Sequence, residues 1–157
     1  MKNIAVFGGT FDPITLGHEA IIRRAAELFP TVYVAMCPNS AKTTMFDINI
    51  RLELLREAFI NDKNIIPIVH NGLIADFAES KNAVIVKGLR YSSDFDYEHL
   101  QAESNYMISN IETVFLSSRK DDTFITSTLV RELIKADKDF TPYVSEGVAN
   151  KIKQFIR

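Results

Sequence analysis

Five short, nearly continuous apolar runs alternate along this chain with longer runs of helical period. The short runs are residues 3–7, 31–37, 64–69, 83–87 and 112–116, rich in Val, Ile and aromatic residues. A strand that is apolar on both sides must be covered on both sides, which is the condition of strands inside an α/β sheet. Pro67 breaks the third run; lacking an N–H, it predicts an edge position for that strand. Between the runs, His18, Ile21, Ile22, Ala25, Leu28 and Phe29 recur at three- and four-residue steps and form one helix face. Further helices are predicted over residues 47–60, 73–80, 94–109, 127–136 and 142–156, with Asp47 as a cap and Pro142 in a first helical turn. Strand–helix alternation implies parallel strands joined by right-handed crossovers. The predicted architecture is a Rossmann-like, doubly wound five-stranded parallel sheet, formed by a single domain over residues 1–157 with no internal repeat.

Composition narrows the partners. The net charge is −2, where a nucleic-acid-binding domain is expected to be basic. Cys37 is the only cysteine, so no intrachain disulfide is expected and a reducing compartment fits best. The first residues reach Gly8, Gly9 and Asp12 too early for the apolar core of a signal peptide, and no run has membrane-spanning length. A cytoplasmic enzyme acting on small molecules, with neither nucleic acid nor membrane as partner, is the expectation.

In doubly wound sheets ligands bind beyond the carboxyl ends of the strands. There this sequence places "GGTFDPITLGH", "PNSAKTTMF", "KGLRYSSDFDYE" and "SSRKDDTFITSTLVRE". Gly8 and Gly9 follow the first strand without a GxGxxG or P-loop pattern, so those familiar nucleotide sites are excluded. Thr10 offers a hydroxyl, and Gly17-His18 opens a helix whose free N–H groups attract phosphate. Lys42 follows the second strand, Lys87 closes the fourth, and Arg90 comes three residues later; fixed cations beside a helix start suit a polyphosphate. Thr126, Ser127 and Thr128 read as hydroxyls at another helix start, with Ser127 or Thr128 near the cap. Each has a plainer role open to it: a core histidine, a surface lysine, an Arg90 pair with Asp94 or Glu98, a simple cap. His18, His70 and His99 lack metal-ligand spacing, and no Gly-x-Ser-x-Gly elbow occurs.

Taken in order, "GTFDPIT.GH", Lys42 ahead of "MF", "KGLR...DF.YE", and "VFLSS" before "FITSTLV" resemble the nucleotidyltransferase α/β family with a Thr/His-x-Gly-His motif. Within it the chain is most similar to the phosphopantetheine adenylyltransferases, nearly end to end. The resemblance implies transfer of the adenylyl group of ATP to 4′-phosphopantetheine, giving dephospho-coenzyme A and pyrophosphate. It implies that Thr10 and His18 contact the transferring phosphate. Thr10, Lys42, Ile74 and Lys87 would hold the acceptor. Phe11, Gly88, Leu89, Arg90, Glu98 and the segment Asp122, Thr123, Phe124, Ile125, Thr126, Ser127 and Thr128 would hold ATP. Mg²⁺ held mainly by phosphates and water, and a homohexamer, are implied too.

Three departures stand out. Lys87 replaces a frequent Arg, Asp122 a frequent aromatic residue, and Thr-Ser-Thr a run of serines. The alternative acceptor is nicotinate mononucleotide, against which Thr15 and "KGLRYSSDFDYE" speak; a non-catalytic nucleotide-binding relative would be expected to lack Thr10, His18 or Arg90.

Overall fold

The computed structural model describes residues 2–38 and 41–156. Asn39 and Ser40 of the second candidate segment, and the terminal Met1 and Arg157, lie outside the described residues. Among the described residues the order is β1 (Ile4–Gly9), α1 (Leu16–Leu28), β2 (Thr31–Met36), α2 (Ile48–Ala58), β3 (Ile65–Val69), α3 (Ile74–Ser80), β4 (Val84–Leu89), α4 (Ser92–Ser109), β5 (Thr113–Ser117), α5 (Ser127–Lys135) and α6 (Glu146–Phe155). The five strands form one parallel sheet in the order β3-β2-β1-β4-β5. Pro67 stands on β3, at the sheet edge, in register with Val34. The chain winds outward from β1 to β3 and then crosses back to β4, so the order reverses between β1 and β4. A crevice must open there, because the two crossovers leave in opposite directions.

Side-chain alternation along the strands assigns the layers. Ala5, Phe7, Val32, Val34, Val84 and Val86 face a large core shared with α1, α2, α5 and α6. Val6, Ala35 and Ile85, one residue out of step, face a smaller core under α3, with Ile111. Helices therefore cover both faces, as the continuous apolar runs require.

Four local expectations are corrected. Gly8 and Gly9 do not follow β1 but end it, in register with Ala35 and Met36. Likewise Lys87 lies inside β4, which runs on to Leu89 opposite Ser117. Pro142 sits in a 3-10 turn over Thr141–Tyr143, while α6 starts only at Glu146 after extended, buried Val144. Burying Val144 in the core interrupts the helical path between the two. Finally, α5 is capped by Thr126, whose hydroxyl accepts from Leu129 N at 3.1 Å, not by Ser127 or Thr128. Asp47 does cap α2, accepting from Asn49 N and Ile50 N at 2.8 and 3.0 Å.

Candidate active site

Three adjoining cavities of about 170, 870 and 490 Å³ fill the crevice, and all three share Gly8, Gly9 and Lys87 as walls. The smallest lies over Gly17, Ile21, Gly88, Asp122 and Ile125. The largest is lined by Thr10, Lys42, Arg90, Glu98 and the α5 start. The third ends among Cys37, Pro38, Leu73 and Ile74.

His18 borders the first two. It is the third residue of α1, and Thr15 is the cap: the Thr15 hydroxyl accepts from His18 N at 3.5 Å while the Thr15 backbone N–H donates to His18 Nδ1 at 3.2 Å. An N–H can point at Nδ1 only if that nitrogen carries no proton. The neutral ring therefore keeps its hydrogen on Nε2, as a donor. Burial, and then the charge of Arg90, push the ring down from its ordinary value of 6.5 to about 4. The edge of its ring contact is Phe11, whose centroid lies 5.2 Å away and whose backbone has φ 48°, a sparsely populated region for a non-glycine residue. Phe11 is buried, so its ring forms a wall of the site.

Gly17 lets the helix start and the 122–125 segment come together; a Cβ there would stand 3.0 Å from Ile125 O and 3.3 Å from Asp122 O. This contact brings the 122–125 segment against α1.

The cations come from the ends of two strands: Lys42 follows β2, Lys87 lies near the end of β4 and Arg90 comes just after it. Lys87 Nζ lies 3.4 Å from Glu98 Oε2, both side chains being partly exposed at 20% and 21%. Glu98 Oε2 nevertheless has no hydrogen-bond donor. Arg90 Nε stands 3.9 Å from Asp94 Oδ2, but that oxygen accepts from the backbone N–H groups of Arg90 and Tyr91 at 3.1 Å each. Arg90 is thus held loosely, with its charge free to act on the cavity. The Cys37 thiol, half-buried at the third cavity, is pushed up by burial and is a packing group, not a thiolate nucleophile.

At α5 the three hydroxyls are partly committed. Thr126 caps, Ser127 Oγ donates to Pro13 O at 2.7 Å, and Thr128 Oγ1 accepts from Arg131 Nη2 at 3.1 Å. The remaining first-turn amides are left to face an anion, with the charge of Arg131 beside them although its guanidinium is held by Thr128 Oγ1 and Asp12 O. Arg131 was not evident from the motif, yet it lies three residues after Thr128 and so on the same helix face, which is the signal that identifies it. Asp12 and Tyr97, which stand in the quoted motifs without a role assigned to them, also line the large cavity, as does Gln101, which no motif marks.

The crevice thus gathers Thr10, Phe11, His18, Lys42, Lys87, Gly88, Arg90, Glu98, Asp122, Ile125, Thr126, Ser127 and Thr128, with Ile74 in the third cavity. Leu89, Thr123 and Phe124 are not among the lining residues. Leu89 ends β4; Thr123 Oγ1 donates to Arg119 O at 2.9 Å; exposed Phe124 meets Tyr143 edge-on.

A parallel sheet with a cation-lined crevice at its switch point is an arrangement suited to a nucleotidyltransferase, and the comparisons with known proteins give that class. A family model described as cytidylyltransferase-like matches residues 6–133. The phosphopantetheine adenylyltransferase of Coxiella burnetii (strain RSA 493 / Nine Mile phase I) is 39% identical over 157 residues, covering 98% of each chain. That of Acidovorax sp. (strain JS42) is 40% identical over 151 residues, covering 95% of this chain and 92% of the relative. The chain belongs to the phosphopantetheine adenylyltransferase family, within the cytidylyltransferase-like proteins. The fold is also that of Plasmodium falciparum nicotinic acid mononucleotide adenylyltransferase complexed with NaAD, at TM-score 0.71 and 17% identity over 99% of this chain and 96% of that one.

Proposed function

We propose that this protein transfers the adenylyl group of ATP to 4′-phosphopantetheine, releasing pyrophosphate and forming dephospho-coenzyme A. The observation that carries the choice of acceptor is the third cavity: it opens from Lys42 and Lys87 and runs to Leu73, Ile74 and Pro38. A phosphate held at the cationic mouth leaves a long, mostly uncharged arm to fill the apolar end. A nicotinate mononucleotide, with its charged ring, fits that lining less well.

The acceptor phosphate is already mostly dianionic at neutral pH, its second pKa being about 6. One of its oxygens attacks the α-phosphorus of ATP in line, the bond to the bridging oxygen breaks, and pyrophosphate leaves. No proton has to be removed, so the reaction needs positioning and charge neutralisation more than a base. Lys42 and Lys87 hold the acceptor, and Thr10 and the His18 Nε2–H donate to the α-phosphate as charge builds on it. Arg90, Arg131 and the first amides of α5 hold the β- and γ-phosphates. Gly17, Asp122 and Ile125 frame the base. The buried Glu98 oxygen without a donor suits a substrate hydroxyl, and its carboxylate orients Lys87. Among the described residues no cluster of three or more His, Cys, Asp or Glu is placed to hold a metal. Mg²⁺ would come in on the ATP phosphates with its own water and would supply charge neutralisation at the pyrophosphate.

The active protein is further proposed to be a homo-oligomer, with the homohexamer as the expected state. In support, α4 spans 18 residues without one buried side chain, and Leu100, Met107 and Ile108 are 66%, 84% and 61% exposed. An apolar surface of this kind is unusual on a monomer. Among the described residues no helix is long and apolar enough to cross a membrane.

The deciding experiment measures pyrophosphate release from ATP with 4′-phosphopantetheine or nicotinate mononucleotide, at equal concentrations. Release with the former alone is expected; release only with the latter overturns the acceptor.

A further inference from the structure

The large cavity presents an oddity for an anion site, because the acidic residue Asp12 is among its walls. Asp12 is 4% exposed, so its charge is neither diluted by water nor helpful to a phosphate. Its contacts explain its presence. Oδ2 accepts from Met45 N at 2.7 Å and Oδ1 from Phe46 N at 2.9 Å. Both amides belong to the irregular loop that carries Lys42. Arg51, also buried, ties Phe46 to Thr10 as well, donating from Nε to Phe46 O at 3.0 Å and from Nη1 to Thr10 O at 2.7 Å. On the opposite flank Arg131 Nη1 donates to Asp12 O at 2.7 Å and lies 3.8 Å from Asp12 Oδ2. Residues 10–13 are therefore a spine, with the acceptor-side loop bound to one flank and the start of α5 to the other.

We infer that Asp12 is a positioning residue that holds Lys42 and Arg131 in register across Thr10, with Arg51 as its partner; the inference rests on the proposed assignment of Lys42 to the acceptor phosphate. In-line attack needs the two anions at a fixed separation, and displacement of about 1 Å is enough to cost much of the rate. Asp12 acts through these groups and does not touch the substrates.

The test uses Asp12→Asn, which keeps bulk and polarity while removing the charge, in the full-length protein, together with Lys42→Ala and the Asp12→Asn/Lys42→Ala double variant. The expected result for Asp12→Asn is a rise of roughly tenfold or more in KM for 4′-phosphopantetheine, the scale of a lost charged hydrogen bond. KM for ATP should change less, and kcat should fall because the two phosphates lose register. If Asp12 works through Lys42, the double variant is no worse for the acceptor than Lys42→Ala alone. Full additivity of the two effects on the acceptor KM, or equal losses for both substrates tracking a lower melting temperature, would overturn the inference and leave Asp12 a stability residue. Should the wild-type protein turn over neither acceptor, the proposed function fails instead. The same cycle, read as binding of inorganic phosphate, then decides Asp12: non-additivity supports it and additivity overturns it.

Discussion

The backbone N–H of Thr15 points at Nδ1 of His18 from 3.2 Å, and the Thr15 hydroxyl lies 3.0 Å from the same nitrogen. The helix cap and the proton position of the site imidazole are thus one structure. His18 is presented to the crevice as a neutral Nε2–H donor, and the positive charge is left to Arg90 and the lysines.

A pH dependence follows from this. With the ring pushed down to about 4, His18 does not titrate in the range where the reaction is expected to run. The acid limb of kcat/KM should instead follow the acceptor phosphate, with a midpoint near its second pKa of about 6. Stability has its own dependence. Between pH 6.5 and about 4 the unfolded chain binds a proton at this ring and the folded one does not, so stability falls as pH drops through that window. Ring titration of His18 by NMR checks both; a midpoint near 6.5 would contradict the buried, Thr15-bonded ring.

Replacing His18 by Ala should lower kcat by roughly 10²- to 10³-fold, the range for losing one donor to a developing oxyanion. ATP affinity should change little, because the donor is used mainly in the transition state. Single-turnover rates beside ATP titration separate the two, and a variant with near-normal turnover would remove His18 from the chemistry.

Arg90 and Lys42 should divide the substrates between them. Arg90→Ala is expected to weaken ATP by roughly tenfold, the scale of a charged hydrogen bond, and to spare the acceptor. Lys42→Ala is expected to do the reverse. Equal loss on both substrates from Arg90→Ala would mean that its contact with Asp94 is structural.

Two glycines should respond to Ala differently. At Gly17 the new Cβ meets backbone, 3.0 Å from Ile125 O, and the 122–125 segment must move; a loss of roughly 1 to 3 kcal/mol and weaker ATP binding are expected. At Gly8 the Cβ would fall 2.0 Å from Ile74 Cδ1, the end of a flexible side chain, which can turn away into the acceptor cavity. Gly8→Ala should therefore raise KM for the acceptor severalfold at little cost in melting temperature. Melting curves and the two KM values decide; equal effects at both positions would show that Ile74 does not border the acceptor.

The exposed α4 face predicts self-association. Light scattering coupled to size exclusion should give a mass well above 17.8 kDa, and Leu100→Asp should reduce it. A wild-type protein that runs as a monomer would return the exposed face to solvent.

Much of this was legible in the order of residues. Strand runs, helix faces, the Asp47 cap and the edge position forced by Pro67 depend on sterics and periodicity among near neighbours, which a sequence displays directly. The motif segments likewise converge on one crevice, because strand ends in a doubly wound sheet share one rim. What only the tertiary structure decided are meetings between distant residues: Asp12 with the amides of residues 45 and 46, Arg131 with Asp12 O, Arg51 with Thr10 O, Lys87 with Glu98. Local detail shifted for the same reason. Thr126 took the cap while Ser127 turned to Pro13, and burial of Val144 parted Pro142 from its helix. Such contacts depend on the register in which the crossovers return each element to the sheet, and on competition for each buried polar group, neither of which is a property of any short stretch of chain.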